Sequence, residues 1–402
     1  MGNCTYRYCP FKSIFDSSGS SMFPNGSDET FYYLGLMNTN VMNYFLSVKN
    51  STLSNGAGTI AMLPVFRDET KFNDIVNLSN TNYRICKEEW DEYEISFEFG
   101  RHPLVSINSK SLSSLYEAHR QKREEWFLAV KNNEEELNSV FIADYNLQKE
   151  LKPTVEEKYV SIRKISAKDD VKSLISYILG VYFGRYSLDV DGLIYAGGDW
   201  DSTLYSTLIP DENNIIPFMD EGYFDDDALN KIITFIEKVY GKDTLDENLK
   251  FMADALGGTG TSREVIRNYL LNGFYYEHVK GYQKCPIYWL LDSGKDNGFK
   301  ALIYMHRYTP DLLAKMRTDY ILPLMDKYSL RIEYLTNEIP SLTGTSLSKA
   351  RKELEKVNAQ LKELAAYEPK IHHLADERIS IDLDDGVKHN YELFKDVLAP
   401  IK

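Results

Sequence analysis

The sequence predicts a predominantly helical α+β chain, and three patterns carry that prediction. Apolar residues recur at helical spacing through residues 111–145. They recur again, with a seven-residue repeat in the second half, through 309–368. Two short apolar, aromatic-rich runs, 286–292 and 298–305, flank the polar loop Ser293-Gly294-Lys295-Asp296-Asn297, which is the pattern of one β-hairpin. The expected architecture has five parts: a partial α/β unit (1–65), a helical spacer (66–165) and a mixed α/β domain holding the hairpin (166–308). A coiled-coil-like antiparallel helical hairpin (309–368) and a closing β-turn and helix (369–402) complete it.

Composition sets the outer bounds. A chain of 402 residues with 43% hydrophobic and 26% charged residues can bury substantial cores and hold two or three domains. The four cysteines, Cys4, Cys9, Cys86 and Cys285, lack the paired spacing of a zinc site and are too few for a disulfide framework. The longest apolar stretch, 174–183, is too short to span a bilayer. Met1-Gly2-Asn3-Cys4 would suit acylation only with Ser or Thr at position 6, which is Tyr6. Together these features predict a soluble, cytoplasmic protein with no membrane partner. The net charge of −14 argues against a generic nucleic-acid binder, but the charge is uneven. Residues 211–254 carry twelve acidic and four basic side chains, whereas 284–331 carry eight basic and five acidic ones.

Element by element, 11–15 reads as a strand, 28–37 as a helix, and Asn38-Thr39-Asn40 as the cap of a second helix over 41–48. Gly56-Ala57-Gly58 turns into a strand-like 59–65. Phe72, Ile75, Val76 and Leu78 give the next helix its apolar face. A long helix over 111–145 buries Leu115, Trp126, Phe127, Val130, Leu137, Phe141 and Ile142. Asp169-Asp170 caps a helix over 171–183, which Arg185 leaves; that guanidinium can clamp a phosphate or base edge, or pair with Asp189 or Asp191, the pair being favoured. Residues 210–217 read as a loop, and Asp225-Asp226-Asp227 opens a helix to 239 through favourable dipole interactions. The glycine-rich 256–262 lacks a P-loop lysine and follows no strand, so Thr261 or Ser262 simply caps the helix 263–271.

From Thr309-Pro310-Asp311 a helix runs to 337 with a kink at Pro323. Its partner carries Leu347, Leu354 and Leu361 on one heptad line and Ala350, Val357 and Leu364 on the other. Asp384-Asp385-Gly386 reads as a turn between 379–383 and 387–391.

The hairpin also carries a family resemblance. PIYWLL, a short polar loop and GFKALIYMHRY, followed at once by Thr309-Pro310-Asp311, resemble the C-terminal part of the PglX family. These are adenine-specific DNA methyltransferases of BREX phage-defence systems, related to type II restriction-modification enzymes. IFDSS (14–18), 33–46, TIAMLPV (59–65), WDEYEISFEFGRHPL (90–104), NEEELNSVFIADYNL (133–147), ILGVYFGRYSL (178–188) and IDLDDGVKHNY (381–391) resemble the family in the same order. The resemblance implies that 1–65 closes a target-recognition-like domain and that the chain is the C-terminal portion of a longer enzyme.

The parent chemistry requires a glycine-rich loop after a strand to hold S-adenosylmethionine. It also requires an [Asn/Asp/Ser]-Pro-Pro-[Tyr/Phe] motif around the flipped adenine. This chain has no Pro-Pro pair and no strand-then-glycine pattern, nor do Pro210-Asp211 and Pro310-Asp311 have the downstream strand of a PD-(D/E)xK nuclease. No catalysis, cofactor or metal is expected of the chain alone. Two readings follow. In the first, the chain recognises and positions double-stranded DNA, working with a catalytic methyltransferase half or other BREX components. Arg185, Lys284, Lys295, Lys300, His306 and Arg307 are its candidate DNA-binding residues. In the second, the acidic surface and helical hairpin form a protein-interaction module that docks onto defence components or phage proteins. By pattern alone, 284–308 is also consistent with a core hairpin whose polar ends are merely solvated.

Overall fold

The computed structural model describes residues 5–9, 19–49, 55–106 and 109–401. Most of these residues are helical, and the single sheet has three antiparallel strands. The chain divides into two compact units, residues 1–92 with 117–165 and residues 93–116 with 166–402. The expected strand at 11–15 lies outside the described residues.

In the first unit, α1 (Ser27–Met37), α2 (Asn40–Lys49), α3 (Ala57–Ala61) and α4 (Phe72–Trp90) pack on the later part of α5 (Leu112–Asp144). Tyr32, Leu36, Val41, Met42, Ile75, Leu137 and Phe141 form the core, matching most of the expected apolar faces. The strand expected at 59–65 is instead α3 followed by a turn. No strand in the described part of this unit could pair with it, so the local hydrogen bonds of a helix prevail. Earlier in α5, Arg123 is 4% exposed and binds Glu89 at 2.6 Å and Glu92 at 2.8 Å.

The second unit is built around α6 (Ala167–Tyr182), in which every residue from 174 to 182 is buried. Its N-cap is Ser166, whose hydroxyl accepts from the Asp169 backbone N–H; Asp169 and Asp170 lie in the first turn instead of capping it. Then come β1 (Ile216–Pro217), α7 (Ala228–Tyr240), α8 (Leu245–Leu256), α9 (Ser262–Tyr269), α10 (Tyr275–Gly281), β2 (Tyr288–Asp292) and β3 (Lys300–Tyr304). The hairpin forms as expected, with Tyr288 opposite Tyr304 and Asp292 opposite Lys300. Within the stretch read as a loop, Ile216 and Pro217 pair with Leu302 and Ala301 to add the third strand. On the outer edge of β2, the Asp292 N–H donates to Val397 O and the Ala399 N–H to Leu290 O.

The helix expected over 309–337 is α11 (Leu312–Lys315), a π-helical turn (Met316–Ile321) and α12 (Leu322–Glu338). Pro323 offers no N–H to the carbonyl four residues back, Asp319, and the wider π turn falls where that bond is missing. A short link leads to α13 (Gly344–Glu377), which runs past 368 and contains Pro369. Pairing of Arg331 with Glu353 and of Arg317 with Glu368 fixes the two long helices as antiparallel. Ala350, Val357, Leu364 and Ile371 are buried, and Leu347, Leu354 and Leu361 flank them half-buried. The turn expected at 384–386 is a 3-10 turn leading into α14 (Val387–Phe394), so no β-hairpin forms there. Gly386, at φ 82°, starts that helix.

Candidate functional site

The six candidate residues of the sequence lie around the β2–β3 hairpin and the elements beneath it, in two different settings. One is the inner end of β3. Asn214 accepts the Tyr304 backbone N–H and donates to its carbonyl, which extends the β1–β3 pairing by a side chain. Tyr304 is thereby fixed with its hydroxyl donating to Tyr195 O at 2.8 Å and accepting from Arg185 Nη1 at 3.2 Å. Arg185 also donates from Nε to the Tyr186 hydroxyl at 3.0 Å.

The ion pair expected for Arg185 does not form. Asp191 binds Arg101 at 2.7 Å, and Asp189 accepts from the backbone N–H groups of Ser206 and Thr207. Burial opposes ionisation of Asp189, but the bonds from Thr207 and Ser206 outweigh it and hold the carboxyl well below its usual range.

Beside Tyr304, the Arg307 guanidinium lies 4.5 Å from the centre of the Trp200 ring and donates to Phe183 O. Trp200 stacks on Tyr205 and meets Tyr195 edge-on. Gly184, at φ 72°, lies so close that a Cβ there would fall 2.3 Å from the Trp200 ring. These contacts pin the long loop 189–215 at its base while Trp200 keeps an exposed edge. His306 stacks at a tilt on Tyr304, and burial, then Arg185, pushes its pKa down to about 4.

Deeper in the unit, Glu94 accepts from the Ser176 hydroxyl, and burial raises its pKa. His278 accepts the Tyr288 backbone N–H at Nε2, which places its proton on Nδ1. Burial, then Arg185, drives the His278 pKa down to about 3, so the ring is neutral at physiological pH.

The second setting is the hairpin's polar rim. Lys300 is largely covered and lies 3.5 Å from Asp292. Lys295 is exposed at the apex of the loop that Glu363 of α13 holds from below. That carboxylate accepts from the Ser293 hydroxyl and from the backbone N–H groups of Asp296 and Gly298. Lys284 is exposed just past α10, where Gln283 and Lys284 both have positive φ and the Lys284 N–H closes back on Val279 O. Of the six residues, Arg185, His306 and Arg307 therefore meet around Tyr304, Lys300 is engaged by Asp292, and Lys284 and Lys295 present charge to solvent.

Sequence reasoning missed Tyr304, Asn214, Trp200 and Glu363. Trp200 alone left a trace, as the one tryptophan in a polar, glycine-containing loop.

The residues present do not fit S-adenosylmethionine. The sheet is antiparallel, and among the described residues no strand leads through a glycine turn into a helix. At the glycine-rich start of α9, Thr261 and Glu264 form a capping box that already fills the helix N-terminus. Among the described residues no group of His, Cys, Asp and Glu could hold a metal ion, and no helix is long and apolar enough to cross a membrane.

No family model matches the chain. It is 36% identical over 414 residues to the adenine-specific methyltransferase PglX of Lacticaseibacillus casei (strain Zhang), an alignment spanning 100% of this chain and 34% of that protein. The chain matches a C-terminal portion of a PglX-type methyltransferase. The adenine-specific methyltransferase BrxX of Escherichia coli O9:H4 (strain HS) is 33% identical over 427 residues, covering 98% of this chain and 35% of that protein. The chain thus spans about a third of the length of these two relatives. The PglX-type likeness runs through both compact units, and with them through Tyr304, Arg185 and the hairpin rim.

Proposed function

We propose that this chain is a DNA-recognising and DNA-positioning portion of a PglX-type site-specific methyltransferase of phage defence. In the parent reaction a methyl group passes from S-adenosylmethionine to N6 of an adenine flipped out of the duplex. The observation that supports this most is end-to-end similarity to a third of two adenine-specific methyltransferases, in a stretch with no Pro-Pro pair to grip that adenine. Holding the duplex or reading sequence is what such an enzyme needs besides the base-gripping motif.

In this reading Lys284 and Lys295 meet phosphates from the hairpin rim, where Asp292 holds Lys300, while Arg185, His306 and Arg307 fix the scaffold that presents loop 189–215. Residues 1–65 close a target-recognition-like domain, and the chain acts in the cytoplasm with a catalytic methyltransferase portion supplied by the rest of the enzyme. The net charge of −14 and the acidic run 211–254 favour a second reading, docking onto other defence components or phage proteins.

Binding of the purified chain to mixed-sequence duplex DNA across a salt series separates the two readings. Affinity that falls steeply with salt supports DNA positioning. Absence of binding even at low salt excludes it and leaves the docking reading.

A further inference from the structure

Read as letters, α13 looks charge-balanced. From 344 to 377 it carries Lys349, Arg351, Lys352, Lys356, Lys362 and Lys370 against Glu353, Glu355, Glu363, Glu368, Asp376 and Glu377. Folding separates these charges. Glu353 turns inward to Arg331, Glu368 to Arg317, and Glu363 to the hairpin loop. Lys356 is drawn to Asp220 at 2.7 Å and Glu221 at 3.2 Å.

What remains outward is a row spaced by three or four residues: Arg351 and Lys352, Glu355, Ala359, Lys362, Ala366 and Lys370; beyond it His372 and His373 face Asp376 and Glu377. It lies opposite the buried line of Ala350, Val357, Leu364 and Ile371. Arg351, Lys352, Lys362 and Lys370 are all exposed, and none forms an ion pair with any described residue. On the neighbouring helices, by contrast, Lys315, Arg317 and Arg331 are all bound by carboxylates. A chain of net charge −14 thus leaves four cations unneutralised along one helix face, with alanines between them that let a partner approach closely.

We propose that this outer face of α13 is a nucleic-acid backbone contact, which rests on the reading of the chain as a DNA-positioning portion. At about 1.5 Å per residue, Arg351 to Lys370 spans roughly 28 Å. At about 3.4 Å of duplex axis per base pair, that length covers roughly eight base pairs of duplex. The partner's chemistry is a regular row of phosphates, and the contact is indifferent to sequence, because lysines on a straight helix face meet backbone charges rather than base edges.

The test is a salt series on a short mixed-sequence duplex with the whole chain and three variants. In the first, Arg351, Lys352, Lys362 and Lys370 are all replaced by Gln. It is expected to bind more weakly and to lose about 0.9 from the slope of log K against log salt for each contact removed, or roughly 3–4 in all. In the second, Glu355→Lys, the row's single carboxylate becomes a cation; binding should tighten and the slope steepen by about one, a gain that misfolding cannot imitate. The third, Lys284→Gln with Lys295→Gln, probes the hairpin rim separately. Salt-sensitive binding that neither the quadruple variant nor Glu355→Lys alters would overturn the α13 contact and leave the DNA-positioning reading standing. No binding by the unaltered chain at low salt overturns both.

Discussion

The carboxylate of Glu363 accepts the backbone N–H of Gly298 at 3.0 Å across 65 residues of sequence. With its bonds to Ser293 and Asp296, it closes the apex of the hairpin from the outside. The loop is held by a helix that arrives later in the chain, and not by its own turn geometry alone. Glu363→Ala should cost about 2–3 kcal/mol, since a charged acceptor is removed from three donors at once. Glu363→Gln should cost less, about 1 kcal/mol, because an amide oxygen still accepts from part of the loop. Urea unfolding of both variants checks the order; equal losses would mean that the loop does not depend on this carboxylate.

Gly184→Ala tests the base of loop 189–215. The backbone there is at φ 72°, and a Cβ would fall 2.3 Å from the Trp200 ring. Strain at that φ alone costs on the order of 1 kcal/mol. Relief requires Trp200 to move off Tyr205, so acrylamide should quench the variant's tryptophan emission more than that of the native chain.

In the first unit, Arg123→Met should destabilise by about 3–5 kcal/mol. The replacement matches the stem of the side chain but leaves Glu89, 9% exposed at its side chain, without its buried cation. A companion variant that also changes Glu89 to Leu should recover part of the loss, and a thermal-melt double-mutant cycle measures the recovery.

Stability should decline as pH falls from 7 towards 5. His278 and His306 have folded pKa values of about 3 and about 4, against an ordinary 6.5, so between these limits the unfolded chain binds more protons. Stability therefore rises with pH in that window, by up to roughly 1.4 kcal/mol per pH unit for each histidine. Glu94 acts in the opposite sense: its pKa is raised by burial, so its contribution is complete below its ordinary 4.5 and fades as pH rises through the folded value. Glu134 and Asp292, also raised by burial, act in Glu94's sense, whereas His119, lowered to about 4, acts with the other two histidines; His278→Gln should therefore flatten the dependence of the melting temperature on pH.

The hairpin, α5 and the α12–α13 pair were legible because each is set by short-range periodicity: two apolar runs around a turn, or an apolar stripe at helical spacing. Arg185 was not, since its partner Tyr304 lies 119 residues away and acidic residues much nearer in sequence offered a plausible substitute. The segment 59–65 has strand-like composition, but a strand needs a partner that sequence cannot supply. Likewise Asp384-Asp385-Gly386 looks like a hairpin turn until Gly386 is seen to start a helix. The charge separation on α13 was invisible for the same reason. Which of its glutamates turn inward depends on Arg317, Arg331 and a loop at 293–298, all brought there by the fold.

The two backbone bonds between β2 and residues 397–399 give this fold a direction in time. During synthesis β2 and β3 leave the ribosome roughly a hundred residues before those last partners, on the order of 5–20 s at about 5–20 residues per second. Throughout that interval the outer edge of β2 is bare, and an unpaired apolar edge is a template for mispairing with a neighbouring chain. The nascent second unit therefore passes through a stage when its centre is assembled but its rim is open. Slow translation across 305–397 would prolong that stage, and a holdase that covers strand edges would shorten its consequences.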